Sequence, residues 1–274
     1  MSESTSINNS LHAGAASMGR TLSYASKVRL AQIGFVVALV TLAEVGSFFS
    51  GAGNELFPPP SVILLNVITI LQDPAVRFAI LILLVQLVAA FALSIVIGAM
   101  VGYLVAAWVS VEKVTLPILL LIYSIPQVTL LPIFVLCFGP DFGSKIAFGV
   151  SHGMFPVALA VVAGLNQARA HPIYARWASS LGASPFRRIL RVQLPQAIGS
   201  ILVGLRLSMS TTLLGVLLAD LYISTYGVGY YARLFTETLQ GPKLFALITL
   251  LAILAIGINW AVSRLEQYSS RWKL

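Results

Sequence analysis

Six apolar runs divide the chain, each near the ~20 residues a helix needs to cross a hydrocarbon layer. They cover 30–49, a stretch starting at Phe78, then 114–138, 146–165, 197–223 and 244–263. This pattern predicts an all-α membrane protein with about six transmembrane helices. The stretch from Phe78 carries no Asp, Glu, Lys or Arg through Val111. That exceeds one span and predicts a tilted helix or one running beyond the lipid. The third run contains Pro117, Pro126 and Pro132, each expected to break or kink it. Glu44 interrupts the first run, and Arg206 and Asp220 the fifth. Residues 1–27 read as a disordered tail. The apolar run that follows reads as a retained helix rather than a cleaved leader. Pro58, Pro59 and Pro60 predict a stiff, extended spacer after the first span. The organisation expected is a tail (1–27), a first helix with its external loop (28–77), a core (78–265) holding a connecting segment (166–196), and a tail (266–274).

Composition agrees with a lipid environment. The 274 residues are 58% hydrophobic and 9% charged, with a mean hydropathy of +0.92. Soluble domains carry about 25% charge. The net charge of +8 is spread over short connections instead of forming a stripe, so nucleic acid is not an expected partner. Its distribution sets orientation. Twelve cations fall on one side: Arg20, Lys27, Arg29, Lys113, Arg169, Arg176, Arg187, Arg188, Arg191, Arg264, Arg271 and Lys273. Four fall on the other: Arg77, Lys145, Arg233 and Lys243. The positive-inside rule then places both termini in the cytoplasm. Cys137, the single cysteine, is expected to be a small buried hydrophobe.

The connecting segment concentrates charge. Residues 175–195 read ARWASSLGASPFRRILRVQLP, with four arginines. Pro172 suits the first turn of a short helix and Gly182 its left-handed end. Ser184 suits an N-cap and Pro185 the first residue of a second helix, which Pro195 is expected to end. Phe186, Ile189 and Leu190 fall on one face of that second helix, with Arg187, Arg188 and Arg191 on the other. Such a pair can rest on lipid phosphates, enforce orientation, or fit a groove in a cytoplasmic partner.

These residues resemble the EAA motif of bacterial ABC-importer permeases: Glu-Ala-Ala, three residues, Gly, nine residues, then Ile-x-Leu-Pro. Gly182 and Val192-Gln193-Leu194-Pro195 match, while Arg176-Trp177-Ala178 occupies the Glu-Ala-Ala positions. Two more stretches, IGSILVGLRLSMSTTLLGVLLADLYISTYGVGYYA and IPQVTLLPIFVLCFG, resemble the permeases for nitrate, taurine and alkanesulfonates. The likeness spans roughly residues 75 to 265. It implies a type I importer permease fold in the bacterial inner membrane, moving a small solute inward from an extracytoplasmic binding protein. It implies two cytoplasmic ATPase subunits, a second copy of the permease and surrounding lipid as partners. The chain itself would bind no cofactor, ATP and Mg being held by the ATPase. The resemblance assigns coupling to Arg176, Trp177, Ala178, Gly182, Ala183, Ser184, Pro185, Phe186, Arg187, Leu194 and Pro195. Arg176 reverses the family's usual charge, so a compensating acid on the ATPase is expected, or that contact is missing.

The sequence holds no G-x4-G-K-[ST] for binding ATP, no metal-spaced cluster, and no nucleophile and base in a supported arrangement, so it is not expected to be an enzyme. Polar residues inside spans suggest function. Tyr123, Ser124 and Gln127 flank the Pro126 break and are candidates to line a substrate path, or to satisfy the kink itself. Ser208, with Ser210, Thr211 and Thr212, faces the path or bonds its own helix. Asp220 either borders the path or makes a structural bond to a neighbouring helix. Gly98 and Gly102 permit close helix contact and form a G-x3-G pair that can serve dimerisation. A gradient-driven secondary transporter or channel without an ATPase is the alternative function.

Overall fold

The computed structural model describes residues 26–47, 58–170, 173–184, 187 and 189–270. The expected tail up to residue 25, and the N-terminal part of the external loop, lie outside the described residues. Ten α-helices follow one another among the described residues. They are α1 (Ser26–Ser47), α2 (Pro60–Gln72), α3 (Pro74–Ala107), α4 (Val109–Ser124), α5 (Leu131–Phe138), α6 (Phe142–Ala170), α7 (Ile173–Ser180), α8 (Leu194–Ile223), α9 (Val228–Glu237) and α10 (Gly241–Ser270). Five are long and apolar enough to span a membrane, or six when α4 and α5 count as one bent span.

The long charge-free stretch is one 34-residue helix, α3, about 51 Å long at 1.5 Å per residue. Asp73 caps it: Oδ1 accepts from the Ala75 N–H at 2.9 Å. Trp108, in extended backbone (φ −129°, ψ 130°), ends it and leads straight into α4.

The core is a three-helix sandwich of α3, α6 and α8. Small residues let the backbones approach. A Cβ on Gly98 would lie 2.5 Å from the Met154 carbonyl, and Gly102 backs onto Ala158 and Val161. The G-x3-G pair therefore serves packing of α3 against α6 within the chain, a correction to the dimerisation expectation. The contacts Gly149–Val216, Gly153–Thr212 and Gly164–Ala197 show that α8 runs antiparallel to α6. Most residues facing outward on the spans are large and apolar, such as Leu81, Val88, Val96, Leu121, Leu214 and Ile256, the arrangement a lipid solvent permits.

Several expectations change. The stretch after the triple proline is a helix, α2, with Pro60 in its first turn, where a missing N–H costs nothing. Ile63, Val67 and Ile70 of α2 pack into the core cluster that includes Leu247 of α10. Glu44 of α1 accepts from the Ser61 hydroxyl at 2.7 Å and the Ser61 N–H at 3.2 Å, tying α1 to the start of α2. Pro117 lies inside α4 without breaking it, and Pro132 falls in the first turn of α5. Only Pro126 breaks the span, with an 82° bend. Cys137 is exposed on α5, not buried. Lys145 is in the first turn of α6 and fully buried, not in an external loop.

Candidate functional site

The residues singled out in the sequence fall in three places. The first is the connecting segment between α6 and α8. α7 ends as expected: Gly182 takes φ +75°, and the Ala183 N–H donates to the Ala178 carbonyl at 2.9 Å, a left-handed stop of the kind glycine favours. The Ser184 hydroxyl accepts from the Arg187 N–H at 3.4 Å, as an N-cap would. Pro185 and Phe186 lie outside the described residues. Pro195 does not end a second helix. One π-turn, Ile189–Gln193, runs directly into α8. Proline falls in the first turn of α8, where its ring meets no straight α-helical ladder behind it. Ile173, Trp177 and Leu181, at i, i+4 and i+8, are 61%, 68% and 87% exposed. This apolar stripe, along α7 and the turn that ends it, is exposed among the described residues. Arg176, Arg187 and Leu194 are also exposed, while Ala178 and Ala183 are half-buried.

The second place is the break at Pro126. Ser124 donates to its own helix at the Leu120 carbonyl (2.8 Å), and the Thr129 hydroxyl donates to the Pro126 carbonyl (2.7 Å). Gln127 reaches out instead: its Oε1 accepts from the Ser151 hydroxyl of α6 at 3.2 Å. The Tyr123 ring lies 5.3 Å from that of Phe155 and borders a pocket of about 410 Å³ walled by α4, α6 and α8, including Pro156, Ala160, Ser200 and Gly204.

The third place joins α6, α8 and α9. Lys145 Nζ lies 2.8 Å from Asp220 Oδ1, both side chains being at most 2% exposed. Asp220 also accepts from the Ser224 hydroxyl and from the Gly229 N–H at 2.6 Å. The Gly227 and Gly229 pair thus forms a cradle around the carboxylate. Gly227 has φ +104°, and a Cβ on Gly229 would overlap the Asp220 backbone carbonyl. Arg233 of α9 caps the end of α8 by donating to the Leu221 carbonyl at 2.9 Å and to that of Ser224. Tyr226 lies over Lys145, 4.8 Å from Nζ to ring centroid. Hydrogen bonding to the Asp141 carboxylate, then burial, push the Tyr226 hydroxyl up to about 12. Ser208 is walled in between α6 and α8, its oxygen 3.0 Å from where a Gly153 Cβ would be. Asp220 and Ser208 therefore face the chain's own core, whereas Tyr123 borders a pocket. Sequence reasoning missed Lys145 as the partner of Asp220 and missed the stripe made with Ile173 and Leu181. The i, i+4, i+8 spacing was the available signal for the stripe.

The cradle yields a prediction. Gly229→Ala forces its methyl against backbone that cannot rotate away, and overpacking of this kind costs about 1–3 kcal/mol. Gly257, with open space around its Cα, is the contrast: alanine there gains about 1 kcal/mol of helix propensity. Thermal unfolding in detergent should lower Tm for Gly229→Ala and raise it for Gly257→Ala. An unchanged Tm for Gly229→Ala would contradict the cradle.

A family model described as binding-protein-dependent transport system inner membrane component matches residues 94–272. The chain is 31% identical over 182 residues to the formylaminopyrimidine transport permease protein ThiX of Halalkalibacterium halodurans, covering 66% of this chain and 72% of that one. It is 27% identical over 245 residues to the taurine transport system permease protein TauC of Escherichia coli, covering 88% of each. It is 32% identical over 186 residues to the putative aliphatic sulfonates transport permease protein SsuC of Bacillus subtilis, covering 67% and 66%. Among solved structures it is similar to the MetNI methionine ABC transporter in inward-facing conformations. There the TM-score is 0.59 at 18% identity, over 71% of this chain and 96% of that one.

Proposed function

The chain belongs to the family of binding-protein-dependent transport system inner membrane components, the membrane permeases of ABC importers, and from that premise we propose how it works. Two copies form one path, each offering its connecting segment to one of two cytoplasmic ATPase subunits, with both termini in the cytoplasm. ATP and Mg are bound by those subunits, and this chain holds no cofactor. A small solute reaches the path from an extracytoplasmic binding protein. Nitrate, a sulfonate, taurine or another small organic compound fits this reading, as the relatives' names span sulfonates and a pyrimidine.

The observation that carries the reading is the exposed stripe of Ile173 and Trp177 on α7 and Leu181 in the turn that ends it. A large exposed apolar patch on a surface helix suits a groove in a partner protein. The covalent neighbours of α7 are α6 and α8, two walls of the three-helix core, so force applied to α7 enters the core directly. The side of α6 that meets the break at Pro126 is the proposed path wall, with Tyr123, Ser124 and Gln127 nearest to it. Ser208 and Asp220 support that wall from behind.

The test is capture of the ATPase by the detergent-solubilised chain. Gly182→Pro demands φ near −65° where the turn takes +75°, and should release the ATPase while the spans stay folded. Arg176→Glu should weaken capture if an acid on the ATPase faces it. Failure of the native chain to capture any ATPase would favour a gradient-driven carrier.

A further inference from the structure

A second polar cluster lies at the opposite end of α6 from Lys145. Arg169, in the last turn of α6, donates from Nη1 to Glu112 Oε2 at 3.1 Å and to Asn166 Oδ1 at 3.2 Å. Its Nη2 donates to the Ala106 carbonyl, and Asn166 Nδ2 donates to Glu112 Oε1. Glu112 belongs to the first turn of α4 and Ala106 to the last turn of α3. One guanidinium thus gathers three helix ends. The Arg169 and Glu112 side chains are 29% and 13% exposed, so the pair is partly withdrawn from solvent, where directed charged bonds strengthen.

The cluster holds the N-terminal end of α4. Its only covalent link to α3 is Trp108, a single extended residue, which fixes no angle. The outer face of α4 is bare: Val114, Ile118 and Leu121 are exposed. Its inner face lies on α6, where Leu119 packs with Phe155 and Ala158, and Gln127, just past its end, bonds Ser151. So α4 is a bar lying along α6, pinned at one end by Arg169 and carrying the Pro126 break at the other. Arg169 itself stands four residues before α7 begins.

We propose that the Arg169–Glu112–Asn166 cluster is the joint through which displacement of the connecting segment reaches the break at Pro126, with Arg169 and Glu112 as positioning residues. This rests on the coupling role proposed for α7. When α7 is pulled, the root of α6 moves, and the guanidinium obliges α4 and the break to move with it. Without the charged bonds, α4 swings on Trp108 and lags behind.

Cys137, the chain's one cysteine and exposed on α5 just beyond the break, is a built-in reporter. The experiment assembles the permease with its ATPase and binding protein in proteoliposomes. It follows N-ethylmaleimide labelling of Cys137 on the permease band, with and without ATP and vanadate, alongside ATP hydrolysis. In the native complex the trapped nucleotide should change the labelling rate several-fold. In Glu112→Gln and Arg169→Met that change should vanish while the ATPase stays bound and hydrolyses ATP. Arg169→Lys, which keeps the charge, should restore part of it, and Lys113→Gln, altering an exposed neighbouring charge, should leave it intact. A full nucleotide response in Glu112→Gln and Arg169→Met, or none in the native complex, overturns the proposal. Absence of ATPase from the native complex would instead overturn the coupling role of α7.

Discussion

Combining Trp177→Ala with Leu181→Asp should weaken ATPase binding at least ~30-fold while the chain stays folded, since a buried tryptophan anchor contributes about 2 kcal/mol or more to an interface. Trp177 and Leu181 are 68% and 87% exposed, so neither supports the chain's own core. Their substitution removes apolar surface offered outward, and the aspartate adds a charge that a closing apolar groove must desolvate. The measurement is titration of the purified ATPase against the permease in detergent or nanodiscs, with Tm recorded alongside. A folded double variant that binds the ATPase with native affinity would remove α7 from the interface. It would leave the lipid surface as the better occupant of the stripe, testable by flotation with anionic vesicles.

The second large effect concerns the buried ion pair. Lys145→Met should cost about 3–5 kcal/mol, because it leaves the buried Asp220 carboxylate without its cation, and Asp220→Asn toward the lower end of that range, because Lys145 keeps the more distant Asp141 carboxylate at 3.8 Å. That corresponds to a fall in Tm on the order of 10 °C for a chain of this size. Lys145→Met combined with Asp220→Asn should cost clearly less than the sum of the two. Removing both charges also removes the desolvation that the surviving one suffers alone. Asparagine keeps one acceptor oxygen for the Gly229 N–H, and its amide N–H can donate to the Ser224 hydroxyl oxygen, so the cradle keeps both contacts with one of them reversed. Thermal unfolding of the three variants decides the matter. Additive costs would mean that the two side chains do not act as a pair, and that Asp220 serves some purpose other than holding the α8–α9 turn on α6.

The sequence determined the solvent, the spans and the punctuation. Apolar runs of span length admit only lipid, and Gly182 stops α7 because few other residues accept its backbone angles. Pro126 breaks its span as expected, but Pro117 and Pro132 do not, since a proline's effect depends on which carbonyl stands behind it. Two short helices, α2 and α9, escaped notice because each gains its stability from packing on elements distant in sequence, α2 on α10 and α9 on the end of α8. Register was left to the tertiary structure. Lys145 and Asp220 are 75 positions apart, and Arg169 and Glu112 are 57 apart. The first pair meets because glycines on α6 and α8 fix how far those two helices slide past one another, and the second because α4 folds back along α6. Asp220 alone in a span left two readings open, path or structural bond. The antiparallel register of α6 and α8 placed a lysine beside it, because a charge buried among apolar helices persists only where packing brings it a partner.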